Sequence, residues 1–232
     1  MRVLLSKFVC VEAAHRTSTQ QRLHGHSYRF EIRAEGEVDE AIGWLVDYGD
    51  LKRFFRPVET ELDHAYLNDL PGLETEATLP ALDAWIVRRL ERQWGALPAW
   101  FKGVHASILG DLAFRPTRHP ASPVEPVPER IAFSFEAAQS LPCLPEGHPC
   151  RAMHGHSYRI EAAAPDLDAL EPHLAALYAT PDHQCLNDIP GLDHATCERI
   201  CRWVWRWLDV RNAAPTCVVV QETATARCVY YG

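Results

Sequence analysis

The sequence lacks any excess of positive charge: 23 lysines and arginines stand against 31 acidic residues, for a formal net charge of −8. That argues against a general binder of phosphate backbones and leaves only local basic pockets. It also lacks an apolar run of membrane-spanning length, and its first residues carry no charged-then-apolar leader. Cysteine is nearly missing from the first half of the chain, where Cys10 stands alone among eight. A disulfide framework would not be so lopsided, so the thiols read as reduced and the protein as cytoplasmic.

What is present is a repeat. His24-Gly-His-Ser-Tyr-Arg29 returns letter for letter as His154-Gly-His-Ser-Tyr-Arg159. Glu12-Ala-Ala-His15 is answered by Glu136-Ala-Ala-Gln139, and Asp63-His64 by Asp182-His183. Each Asp-His is followed by a Leu-Asn-Asp-(Leu/Ile)-Pro-Gly-Leu turn, at Leu67 and again at Leu186. The period is too long for a solenoid, so the chain reads as two copies of one domain. Copy one spans 1–114 and copy two 131–232. Between them, 115–130 holds five prolines and reads as an extended, semi-rigid linker.

Residues 2–14 and 26–38 alternate as half-buried strands, and Gly103 to Leu109 reads as another. Helical spacing runs from Tyr48 to about Leu62, with Pro57 expected to kink or end it, and again from Thr78 to Trp94. Copy two repeats the pattern and ends in strands at Cys217–Gln221 and Ala226–Tyr231. Trp203, Trp205 and Trp207 alternate and cannot share one helical face, so some should meet another domain or subunit. An α+β fold follows for each copy, with a four-stranded antiparallel sheet and two helices on one face.

His24 and His26 are two apart on a strand and therefore share a face. His15, near the end of the preceding strand, can join them, and three imidazoles with an open fourth position suit catalytic zinc. His154 and His156 repeat the pair. Cys150 lies four residues before His154, where a nearby dication and imidazoles would lower its pKa and make it a base or nucleophile. The other copy-two cysteines (Cys143, Cys185, Cys197, Cys201, Cys217, Cys228) read as inert thiols. Asp63-His64 and Asp182-His183 suit acid–base relays. Glu222 and Thr223 follow an apolar strand, where the carboxylate can grip a planar guanidine-like edge.

On Glu146-Gly-His-Pro-Cys150, His154-Gly-His156, Leu62-Asp-His64 and Gln221-Glu-Thr223, the chain resembles the 6-pyruvoyl-tetrahydropterin and 6-carboxytetrahydropterin synthase family, in a tandem form. The cysteine spacing is nearer the 6-carboxytetrahydropterin branch. The resemblance implies tunnelling-fold (ββααββ) units that assemble into barrels, with sites at interfaces. It implies Zn2+ on His15, His24 and His26 and on His154 and His156. It further implies proton transfer by Cys150, Asp182, His183, Asp63 and His64, and a pterin held by Glu222, Thr223 and Glu198. The implied substrate is 7,8-dihydroneopterin triphosphate and the product 6-carboxytetrahydropterin, on the queuosine route. The implied assembly is a homo-oligomer, such as a trimer of tandem chains, with no nucleic acid or membrane partner.

Neither copy matches the pattern in full. Copy one has the histidine triad but no loop cysteine and no Glu-Thr, while copy two has both but carries Gln139 as its first ligand. Three readings follow. Either complementary parts are pooled at an interface, or copy two works alone with Cys150 or Cys143 recruited to the metal, or the chain is a non-catalytic zinc scaffold or pterin-binding module. A 6-pyruvoyl synthase or related side-chain lyase would use the same pocket.

Overall fold

The computed structural model describes residues 1–232. Copy one begins with two long strands, β1 (Arg2–His15) and β2 (His24–Glu37), paired antiparallel along their whole length. Then come α1 (Tyr48–Leu62), the two-residue β3 (Ala65–Tyr66), α2 (Leu79–Trp94) and β4 (Phe101–Ile108). The linker contributes β5 (Thr117–His119). Copy two runs β6 (Arg130–Gln139), β7 (His154–Ala163), α3 (Leu167–Tyr178), β8 (Gln184–Cys185), α4 (Cys197–Asp209), β9 (Cys217–Thr223) and β10 (Ala226–Tyr230). The architecture is mixed α+β, with two sheets and four helices.

The helices form for reasons visible in the chain. Asp47 caps α1, its carboxylate accepting from the Gly49 N–H at 2.7 Å. Leu51, Phe54, Phe55, Val58 and Leu62 form one buried stripe on α1. That stripe carries the helix past Pro57, so the expected break does not occur. In α2, Leu82, Trp85, Ile86 and Leu90 do the same. Each copy encloses its own apolar core of about 20 buried residues, one built on Phe30 and Phe55, the other on Phe133 and Phe135. The tryptophans of α4 pack at the edge of their own core, Trp205 against Tyr230 at 5.3 Å, rather than against the other copy.

The two sheets differ from the symmetric expectation. Sheet one has the order β3-β1-β2-β4, three long antiparallel strands and a short parallel one. Sheet two runs β10-β9-β7-β6-β5, with β8 also parallel to β6. Copy one has no counterpart of β10. After β4 the chain instead crosses to copy two, where Gly110 packs against Glu136 so closely that a Cβ would have no room. The linker is more than a spacer. β5 pairs with β6, and Val127 is buried with Ala163, Cys217 and Val219. Neither sheet closes on itself within one chain.

The copies meet where the two repeated hexapeptides cross. A Cβ on Gly25 would fall inside contact distance of the Gly155 Cα and 2.7 Å from the Ala13 carbonyl oxygen. The second position of each His-Gly-His must therefore be glycine for the strands to touch. Beside the crossing, Ser27 N–H donates to Ser157 Oγ and Ser157 N–H to Ser27 Oγ, each at 3.1 Å.

Candidate active sites at the junction of the copies

Register explains the first cluster. His15 lies opposite His24 across β1 and β2, and His26 follows two positions on, so all three rings share the helix-side face. All are buried. His15 Nδ1 donates to the Ala77 carbonyl at 2.8 Å and His24 Nδ1 to the Arg22 carbonyl at 2.9 Å. Both Nε2 atoms are therefore bare lone pairs, yet they lie 3.0 Å apart, and His26 Nε2 is 3.0 Å from His15 Nε2. Converging lone pairs repel unless a cation lies between them, so this donor set fits a zinc ion. Burial, reinforced by neighbouring imidazoles, lowers His15 to about 4 and His24 and His26 to about 3. Neutral imidazole is the ligand form.

The second cluster has the same plan with one change. His154 Nδ1 donates to the Ala152 carbonyl at 2.8 Å, leaving a buried Nε2 without a partner. The Nε2 of His156 and the Oε1 of Gln139 are buried and unpartnered too. Gln139 Nε2 donates to Glu222 Oε1 at 2.7 Å, which turns its amide oxygen away from that carboxylate. Two imidazole nitrogens and an amide oxygen can hold a divalent cation, but more weakly than three imidazoles. Burial also lowers His154 to about 3.

The relays change sides. His64 of copy one stacks on His154 of copy two, and His183 of copy two on His24 of copy one, with ring centroids 4.7 Å apart in both cases. Both relay histidines take a left-handed backbone, φ 57° and 53°, a strained conformation held by its surroundings. The Glu12 N–H donates to Asp63 Oδ1 at 3.0 Å and the His64 N–H to the Glu12 carbonyl at 2.7 Å. The equivalent bonds join Glu136, Asp182 and His183. The adjacent carboxylates raise the pKa of His64 and His183: Asp63 Oδ2 lies 3.1 Å from His64 Nδ1, and His183 Nδ1 donates to Asp182 Oδ2 at 2.7 Å. Burial alone would raise the two aspartates, but hydrogen bonds from these histidines and the backbone amides outweigh it and hold them low.

Cys150 sits on a turn, Pro149–Arg151, at the mouth of the second cluster. Donor atoms of Cys150, His64 and His154 all lie within 4.8 Å of one another. Burial and then the Glu222 charge push the Cys150 thiol up, and a dication beside it would act in the opposite direction. Glu222 Oε1 is 3.4 Å from His156 Nε2, and the Cys197 thiol approaches Oε2 at 3.6 Å.

Two expected substrate residues lie outside this group. Glu198 is in the first turn of α4, where its own N–H and the Thr196 hydroxyl lower its pKa. Thr223 lines a cleft of about 300 Å³ on the opposite face of the sheet, with Ser27, Ser157 and Arg159. Cys143 is exposed and outside the donor group. Sequence reasoning passed over Cys197, whose contact with Glu222 depends on how α4 docks on β9. The first cluster has no carboxylate anchor, because register places Ile108 where copy two has Glu222. The copy-one triad and Glu222 thus belong to separate pockets, and what crosses between the copies is His64 to His154 and His183 to His24.

The buried imidazoles make stability depend on pH. Below the ordinary histidine value near 6.5, the unfolded chain takes up protons that His15, His24, His26 and His154 refuse, so stability falls with pH. Glu136, raised by burial to about 8, opposes this by keeping a proton that its unfolded form loses. His64 and His183, with raised pKa, also favour the folded state in acid. The four depressed histidines outweigh these. Chelator-treated protein should lose on the order of 3 kcal/mol between pH 7 and 5.5 in urea titrations.

The family model described as "6-pyruvoyl tetrahydropterin synthase" matches residues 5–104 and again 130–232. A Synechocystis 6-carboxy-5,6,7,8-tetrahydropterin synthase is 36% identical over 97 residues, covering 38% of this chain and 74% of that protein. A Pyrococcus furiosus dihydroneopterin monophosphate aldolase is 31% identical over 83 residues, 35% of this chain and 68% of that one. The Caenorhabditis elegans 6-pyruvoyl tetrahydropterin synthase structure aligns with a TM-score of 0.39 at 20% identity, covering 47% of this chain and 96% of that one. The chain belongs to the 6-pyruvoyl tetrahydropterin synthase family and carries two copies of its domain.

Proposed function

We propose that the chain is a pterin synthase that converts 7,8-dihydroneopterin triphosphate to 6-carboxytetrahydropterin, and that copy two provides the working pocket. The observation that carries this reading is the meeting of Cys150 and His154 of copy two with His64 of copy one, within 4.8 Å. The Synechocystis relative supports the choice of product.

Glu222 accepts two hydrogen bonds from the amino-pyrimidine edge of the pterin and fixes which way the side chain points. Cys150 and His64 then flank that side chain, one taking and the other returning a proton at its carbons. Asp63 keeps the His64 Nδ1 protonated, so Nε2 is the atom that works. Zinc, when bound, polarises the side-chain oxygens. His154, His156 and Gln139 would hold it. Triphosphate leaves first; water then adds to the C1′ carbonyl of the remaining side chain, and the C1′–C2′ bond breaks to give the 6-carboxylate and acetaldehyde. The copy-one pocket, without cysteine or anchor, serves as a metal-holding partner that supplies Asp63 and His64 across the junction.

We place three such chains in a ring, closing each open sheet against its neighbours. The free edge of β1 and the exposed Leu4 and Phe8 beside it support this, since an open apolar edge invites pairing. Eight free cysteines fit a reducing, cytoplasmic setting. No helix is long and apolar enough to cross a membrane.

A second reading is aldol cleavage of a dihydroneopterin to a 6-hydroxymethyl pterin, which the Pyrococcus furiosus relative and the weakened copy-two metal set favour. Incubation of zinc-quantified protein with 7,8-dihydroneopterin triphosphate and its monophosphate separates the two. Acetaldehyde with the 6-carboxy product is expected. Glycolaldehyde phosphate from the monophosphate, or glycolaldehyde triphosphate from the triphosphate, with the hydroxymethyl product supports the aldolase instead. Bound zinc with both substrates untouched sinks both in favour of a scaffold.

A further inference from the structure

We infer that Glu12 and Glu136 are positioning residues, each orienting a metal-site histidine of the copy to which it does not belong. Each lies three residues before its own copy's first ligand position, His15 or Gln139, but on the opposite face of the strand. From there it reaches across the junction. Glu136 Oε2 lies 2.6 Å from His26 Nδ1, and Glu12 Oε2 lies 2.8 Å from His156 Nδ1.

The two contacts form one network. Ser27 Oγ donates to Glu12 at 2.5 Å and Ser157 Oγ to Glu136 at 2.7 Å, while each serine oxygen also accepts the other serine's backbone N–H. Glu136 is fully buried. In the chelator-treated chain burial keeps a proton on it. A cation on the far nitrogen of His26 would favour the carboxylate, which His26 Nδ1 and Ser157 Oγ then satisfy.

The other three rings need no such help, because each is held by a carbonyl of its own copy: His15 by Ala77, His24 by Arg22 and His154 by Ala152. His26 and His156 have no such carbonyl. An imidazole free to flip would turn Nε2 out of the cluster. A carboxylate on Nδ1 prevents the flip and makes the ring a stronger donor. Metal affinity in each copy is thereby tied to the docking of the other.

The test is zinc affinity of the full chain, measured by chelator competition, with loss of the tight ion in His24→Ala identifying the copy-one site. Glu136→Gln, nearly the same shape, should weaken that ion about 10- to 100-fold. Glu136→Asp, which keeps the charge but withdraws it from His26, should weaken it as well and guards against misfolding of the first variant. Glu12→Gln, on the same strand as His15, should leave the copy-one ion within about twofold of wild type, because its partner is His156. Unchanged affinity in both Glu136 variants overturns the inference. So does an equal loss in Glu12→Gln, which would mean general damage to the junction. A wild-type chain without any tight zinc overturns the metal reading itself, a result distinct from either.

Discussion

His64→Ala and Cys150→Ala each lower turnover of the pterin substrate by about 10²- to 10⁴-fold, the usual cost of losing a positioned acid or base. The two residues lie in different copies, 86 positions apart. They act together because the Asp63-His64 turn hangs on the Glu12 backbone and presents its ring to His154. His183→Ala, the same residue type in copy two, lowers turnover by less than about tenfold, because its ring faces the copy-one cluster. Steady-state kinetics on the three variants checks this. A large loss in His183→Ala with none in His64→Ala would mean that each copy uses its own relay, and the working pocket would have to be redrawn.

Gly25→Ala destabilises the chain by about 3 kcal/mol, near the top of the range for overpacking. The reason is the identity of the neighbours. A methyl group there meets the Gly155 Cα and the Ala13 carbonyl oxygen, which are backbone atoms that no rotamer change can move. Gly36→Ala on the same strand is the control. Its Cβ would meet Leu45 Cδ1, the end of a flexible side chain, and the cost should stay below about 1 kcal/mol. Urea unfolding of both variants makes the comparison. Gly25→Ala should also loosen copy-one zinc, since parting the strands draws Glu136 away from His26. Equal stabilities for the two variants would mean that the copies do not meet as described.

Much of this protein was determined by its sequence alone. Period-two alternation specifies β1 and β2, because strand side chains alternate between faces. The same rule puts His24 and His26 on one side. Apolar spacing specifies α1 and α2 for the same geometric reason, and the repeated motifs determine that there are two units. These are local properties, carried by the backbone over a few residues.

What only the tertiary structure decided is which residues serve which site. Asp63-His64 lies in the copy that carries His24, yet the crossing at Gly25 and Gly155 brings its ring to His154. Glu12 and Glu136 stand in the sequence only as matching letters of the repeat, and the junction brings each to the other copy's histidine. Glu198, which the resemblance implies as a ligand for substrate, lies in the first turn of α4, where its neighbour Cys197 is the residue that approaches Glu222. Such assignments depend on contacts between elements far apart in the chain. Their partners are set by how two folded surfaces dock, which local pattern does not encode.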